Sequence, residues 1–159
     1  MLKNLFTVVS VVVLALGGSG LVFAQTDAHM GTWKLNVAKS KFDPAHTLKS
    51  EIRTYESTSD GYKLSGQRVD ADGSNHPESF TAKYDGKDTP FVGDAYGADT
   101  LAVKLVDPNH INATEKKGGK LLYTTKLVVS NDGKVMTITN QGKTESGKPL
   151  NAVLVYDKQ

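Results

Sequence analysis

Six turn signals divide the chain at a near-constant interval. They are Asp60-Gly61, Asp72-Gly73, Asp85-Gly86, Asp107-Pro108-Asn109, Gly118-Gly119 and Asp132-Gly133, and most neighbours lie 11 to 14 residues apart. Asp-Gly and Gly-Gly supply the positive φ that two-residue hairpin turns require. The segments between them alternate in polarity. Trp33, Leu35 and Val37 oppose Lys34, Asn36 and Ala38, and Tyr62 and Leu64 oppose Lys63 and Ser65. Phe80, Ala82 and Tyr84 repeat the pattern, as do Leu101, Val103 and Leu105, then Met136 and Ile138, then Ala152, Leu154 and Tyr156. Period two over four to eight residues marks half-buried strands. No window carries the 3.6-residue period of an amphipathic helix.

The fold expected is therefore all-β: an antiparallel up-and-down meander of about 8–10 strands with little helix. Such a meander leaves two exposed edges unless it closes, so a barrel is favoured over a sandwich. Closure would pair Gly31–Ala38 with Leu150–Asp157. The five prolines fall in loops or at strand starts, where no ladder donor is needed. Three loops stand out: Ser40–Lys49, Gly93–Asp99 and the polar Gln141–Lys148, the last read as mobile. None is long enough to divide the chain into domains.

The N-terminus reads differently. Met1-Leu2-Lys3-Asn4 is short and positive, Leu5–Leu16 is apolar except for Thr7 and Ser10, and Gly17-Gly18-Ser19-Gly20 breaks any helix before Val22-Phe23-Ala24. This is the layout of a secretory signal peptide, residues 1–24, cleaved after Ala24. The expected domain is then 25–159, exported to the periplasm or beyond the cell. The apolar run is too short for a membrane span, which needs roughly 20 residues. The chain has no cysteine, which excludes a lipid anchor, a disulfide framework, a zinc-thiolate site and a cysteine nucleophile. A net charge of +2, dispersed along the chain, gives no footprint for nucleic acid.

Little in the sequence points to catalysis. There is no Gly-x-Ser-x-Gly elbow. His29, His46, His76 and His110 show no ligand spacing and read as solvated loop residues. Asp70-Ala71-Asp72-Gly73 and Asp85-Gly86-Lys87-Asp88 lack the full calcium-loop pattern and read as turns. Glu51 and Glu56 read as ordinary charged strand residues, and Lys116-Lys117-Gly118-Gly119-Lys120 as a solvated hairpin tip. No metal and no cofactor are expected. Trp33, the single tryptophan, reads as the plug beneath the first strand.

Gly31-Thr32-Trp33-Lys34-Leu35 resembles the Gly-x-Trp first strand of the calycin superfamily, which includes lipocalins and fatty-acid-binding proteins. Gly31–Phe42 is similar to the opening of the fatty-acid-binding branch, and Val155-Tyr156-Asp157-Lys158 to its final strand. The 25–159 region also resembles exported bacterial lipocalin-like proteins with a WKLN-x-x-KSKF opening and a YDK ending. Departures limit what the resemblance implies. The branch's Arg-x-Tyr carboxylate pair keeps Tyr156, but Leu154 stands at the arginine position. The late arginine that lipocalins set against the motif tryptophan is missing, since the arginines are Arg53 and Arg68. Ser40–Lys49, with Pro44, carries no helical lid pattern. A barrel survives these losses; a fatty-acid assignment does not follow.

The resulting expectation is an exported, monomeric binding protein, not an enzyme, holding one small apolar or amphipathic molecule inside a barrel. The expected lining is Tyr62, Leu64, Arg68, Phe80, Tyr84, Leu101, Val103, Leu105, Met136, Ile138, Leu154 and Tyr156, with Ala82 beside them. Gly31 and Trp33 would be the structural motif. The competing expectation is a filled-core barrel that acts through its outer surface in the cell envelope or outside the cell.

Overall fold

The computed structural model describes residues 27–44, 46–92, 94 and 96–159. The signal-peptide reading and the cut after Ala24 lie outside the described residues. Ten strands follow in order: β1 Gly31–Leu35, β2 Leu48–Ser57, β3 Gly61–Asp70, β4 Asn75–Lys83, β5 Thr89–Pro90, β6 Thr100–Asp107, β7 His110–Lys117, β8 Lys120–Val129, β9 Val135–Lys143 and β10 Pro149–Lys158. Among the described residues the only helical element is one 3-10 turn, Val37–Lys39. All ten strands form one antiparallel sheet, in the order β4-β3-β2-β1-β10-β9-β8-β7-β6-β5.

The meander closes where the sequence places its seam. β1 pairs with β10 through Trp33↔Lys158, Lys34↔Asp157 and Leu35↔Tyr156. Every other ladder joins chain neighbours, most through short turns as the turn beat predicts, while the longer stretches 36–47 and 91–99 join β1 to β2 and β5 to β6. At the β7–β8 tip, Gly118 and Gly119 adopt φ of 54° and 77°, which side-chain-bearing residues rarely tolerate. Closure is not complete. β4 and β5 are the two ends of the strand order, and β4 faces β6 without a ladder between them. β5 is only two residues long, and Pro90 has no N–H to extend it. Phe80 and Phe91 bridge the gap instead, with ring centroids 5.1 Å apart.

Two boundaries differ from expectation. β1 stops at Leu35, and Val37 is 43% exposed because Asn36 caps the 3-10 turn by accepting from the Lys39 N–H. Gln141–Lys143 belong to β9, paired with Pro149–Asn151, so the third loop shrinks to a tight turn closed by Thr144 and Lys148. Among the described residues of Ser40–Lys49 no helix forms. That segment instead bonds back to the seam, with Lys41 bridging Val153.

The ends of the barrel are packed differently. At the lower end, where β1 starts and β10 finishes, Trp33, Met136, Val129 and Tyr156 are fully buried. Trp33 Nε1 donates to the His29 carbonyl at 2.7 Å and so holds segment 27–30 beneath the sheet. Lys158 Nζ lies 4.9 Å over the indole. His29 is a correction to the solvated reading: it is 1% exposed and edge-on to Tyr55 and Tyr62. The Tyr84 hydroxyl donates to Asp27 at 2.6 Å, so at 3.1 Å it accepts from His29 Nε2–H and leaves Nδ1 without a partner. Burial drives the His29 pKa down to about 4.

Candidate functional site

The interior of the upper half is built by period two acting on charged residues. On β2, Glu51, Arg53 and Tyr55 face inward, while Ile52 on the opposite face is 47% exposed. A register shift between Leu48 and Ser50 lets Leu48 face inward too, three residues from Glu51. β3 contributes Tyr62, Leu64 and Arg68, and β4 contributes Glu78 and Phe80. On β7, Glu115 continues the face of Ile111 and Ala113 and sits at a register shift against β8. β8 adds Tyr123, Thr125 and Leu127, β9 adds Ile138 and Asn140, and β10 adds Leu154. Together with Leu101, Phe91, Asp94, Tyr96 and His46, these residues enclose a cavity of about 100 Å³.

One wall of the cavity is an ion-pair chain. Arg53 Nε donates to Glu51 at 2.5 Å and its Nη2 to Glu78 at 3.1 Å. Arg68 donates to the other Glu78 oxygen at 3.0 Å and to Asp70 at 3.1 Å. Glu51 also accepts from the Tyr156 hydroxyl at 2.6 Å. Burial raises the Glu78 carboxyl above its ordinary range, against the pull of Arg53.

The other wall is rich in acceptors. Asp94 accepts from the Tyr123 hydroxyl and the Ala98 N–H, each at 2.7 Å, and burial raises its pKa. Tyr96 packs edge-on to Tyr123 at 5.4 Å, and burial pushes its hydroxyl up to about 12. The Thr125 hydroxyl donates to Asn140 Oδ1 at 2.8 Å. Glu115 is 5% exposed, and its Oε2 has no hydrogen-bond partner. Burial pushes its pKa up to about 8, so it holds a proton at neutral pH.

Of the residues expected to line the interior, Tyr62, Leu64, Arg68, Phe80, Leu101, Ile138 and Leu154 do so. Val103, Met136 and Tyr156 lie outside the cavity, because the lower half of the barrel is filled and they are part of its packing. Leu105 and Tyr84 are half-buried against that same core, and Tyr84 serves the His29–Asp27 contact. Ala82 is likewise in the packed core. The sequence reading missed Glu51, Arg53, Glu78, Asp94 and Glu115. The available signal was phase: Glu115 repeats at period two from Ile111 and Ala113, and Glu78 from Phe80 and Ala82. Glu51, read as an ordinary strand charge, is 1% exposed. Among the described residues no group of three or more His, Asp or Glu side chains is arranged to hold a metal ion.

No protein-family model matches the chain, and no curated protein matches its sequence. Solved structures do match. As-p18, an extracellular fatty acid binding protein, aligns with a TM-score of 0.51 at 14% identity, over 85% of this chain and 99% of that one. The chain has the calycin fold. The zebrafish ileal bile acid-binding protein complexed with cholic acid also matches, with a TM-score of 0.49 at 12% identity over 83% of this chain and 99% of that one. β10 carries Leu154 and no arginine, and Arg53 of β2 lies 5.9 Å from the Tyr156 ring centroid.

Proposed function

We propose that this calycin barrel is an exported, monomeric binding protein that takes a small amphipathic molecule into its upper half. The observation that carries the reading is the two-sided cavity, apolar along Leu64, Leu101, Leu127, Ile138 and Leu154 and charged along Glu51, Arg53, Arg68 and Glu78. Replacing buried ion pairs by well-packed apolar side chains is often neutral or stabilising, so a barrel that is only a scaffold has no need of them. Their place around an unfilled space supports a site.

Size narrows the ligand. About 100 Å³ is less than the ~150 Å³ that accommodates benzene in an apolar core. It is well below the ~300 Å³ at which drug-sized pockets begin. The ligand that fits has only a few non-hydrogen atoms; a steroid or a long acyl chain needs the interior to rearrange. The export reading rests on the Leu5–Leu16 apolar run and the Ala24 cleavage position. The second reading, a filled barrel acting through its outer surface, draws on this same small volume. Native mass spectrometry of protein purified without denaturation separates the two. A bound, extractable small molecule is expected; a bare mass, with no thermal shift from any small amphiphile, overturns the binding reading. N-terminal sequencing of extracytoplasmic protein is expected to start at Gln25, and intact Met1 in the membrane fraction overturns export.

A further inference from the structure

Carboxyl groups outnumber guanidinium groups around the cavity. Glu51, Glu78, Asp94 and Glu115 line it, against Arg53 and Arg68. Both arginines are engaged: Arg53 holds Glu51 and Glu78, and Arg68 holds Glu78 and Asp70. A ligand carboxylate would have to displace an internal partner or face Asp94 and Glu115 without a cation of its own. A donor meets the opposite situation. Glu115 is almost wholly buried, lines the cavity and presents an Oε2 that nothing hydrogen-bonds. A buried acceptor left unpaired costs free energy, and a donor on the ligand recovers it.

We propose that the ligand is a small organic cation, a protonated amine on an apolar tail, whose ammonium group donates to Glu115 Oε2. The proposal rests on the binding reading above and names its ligand class. The rings of Tyr62, Phe80, Tyr96 and Tyr123 line the same space and suit a cation electrostatically. Asp94 adds negative potential, and the apolar wall receives the tail. The short tail follows from the volume.

The chemistry has a proton balance. Burial, aided by Asp94 and opposed by the Thr125 hydroxyl, holds Glu115 protonated at pH 7. The groups that face it are Asp94 from the β5–β6 loop, Tyr123 and Thr125 from β8 and Tyr62 from β3, with Arg68 and His46 lining the same cavity. Burial holds the Tyr62 and Tyr123 hydroxyls protonated, so neither supplies the proton. An arriving ammonium stabilises the Glu115 carboxylate, and its proton leaves to solvent as the ion pair forms.

The test is isothermal titration calorimetry of the full chain at pH 7 with three matched probes, butylamine, 1-butanol and butyrate. Butylamine is expected to bind about tenfold tighter than 1-butanol, with butyrate the weakest of the three. Butylamine uptake is expected to release close to one proton, read from the difference in heat between phosphate and Tris buffers. Glu115→Gln is expected to lose that about tenfold preference and the proton release while still binding 1-butanol. Proton release in the unaltered protein gives the same answer without relying on the variant. Butyrate binding as tightly as butylamine, or butylamine binding no better than 1-butanol, overturns the cation class and leaves the binding barrel standing. No binding by any probe, with a bare native mass, overturns both.

Discussion

The two ends of the barrel are made from the same alternating strands and solve burial in opposite ways. At the lower end, large apolar and aromatic side chains fill the space. Most polar atoms there are tied to fixed partners, as Trp33 Nε1 is to the His29 carbonyl and Tyr84 to Asp27, with His29 Nδ1 the exception. At the upper end the inward positions go to Glu51, Arg53, Arg68, Glu78 and Glu115, and space remains between them. Burying charge is costly even when it is paired. The difference teaches that the lower end supplies the stability that the upper end draws on, so the two should respond differently to the same kinds of perturbation.

The largest effect expected is loss of the seam that both ends share. β10 pairs with β1 on one side and β9 on the other, so truncation after Lys148 opens the barrel and exposes two edges at once. The truncated protein is expected to lose its cooperative thermal transition by circular dichroism; a sharp melt would show that the ends do not depend on closure. Next is Trp33→Ala. Removing a wholly buried indole should cost about 3–5 kcal/mol in urea denaturation through lost packing and a cavity. Butylamine affinity measured well below the transition should change little, because Trp33 does not line the cavity. A drop in affinity with an unchanged unfolding midpoint would reverse the assignment of the two ends.

The corresponding cut at the upper end is Glu78→Gln. It takes one carboxylate from both arginines, and breaking a buried pair from one side costs about 3 kcal/mol or more. Glu78→Gln combined with Arg53→Met and Arg68→Met is expected to recover most of that loss, because neutral packing does not need the pairing. Failure of the triple variant to recover would mean that the charges are structural, and the contrast between the ends would dissolve.

How much of this was legible in the sequence follows the same division. The turn beat and alternation carry the meander, its seam and the buried Trp33, because hairpin chemistry and period two are local. Completeness of closure was not legible, since β5 is cut short at Pro90 in a stretch with no alternation to lose. The inward charges were hidden for a physical reason. On β2 the apolar cue of Ile52 points outward, and the irregularity between Leu48 and Ser50 shifts Leu48 out of phase with Tyr55. A charge at an inward phase therefore reads as a surface residue in the wrong register. Asp94 and Tyr96 come from a loop, where no period reports direction. His29 looks like a linker residue because its tyrosine neighbours arrive from β2 and β3.

Acid separates the ends further. His29 is neutral when folded, its pKa depressed from 6.5 to about 4, whereas the unfolded chain takes up a proton near 6.5. The unfolded state thus binds more protons between these values, and His29 withdraws stability as pH falls from 6.5 towards 4, by on the order of 3 kcal/mol in all. Its ring resonances by NMR are expected to titrate near the low end of that window. Titration at the ordinary value would mean that the lower end is open to water.

The smallest effect is the mirror image at the upper end. Glu115 has a folded pKa raised from 4.5 to about 8, so here the native state holds the extra proton. Stability from this group is full below 4.5 and is lost as pH rises through 8. Between 4.5 and 6.5 the slopes from Glu115 and His29 oppose each other. From 6.5 to 8 the His29 slope no longer opposes it, and the Glu115 contribution integrates to about 2 kcal/mol. Glu115→Gln keeps the shape of the side chain and removes the proton equilibrium. Against the unaltered protein, the variant should therefore gain about 2 kcal/mol of relative stability between pH 6.5 and 8. Below 6.5 it should expose the acid-side loss due to His29, which Glu115 otherwise offsets. Parallel stability curves for the two proteins across this range would place Glu115 in contact with water and take away the unpaired carboxyl oxygen that faces the cavity.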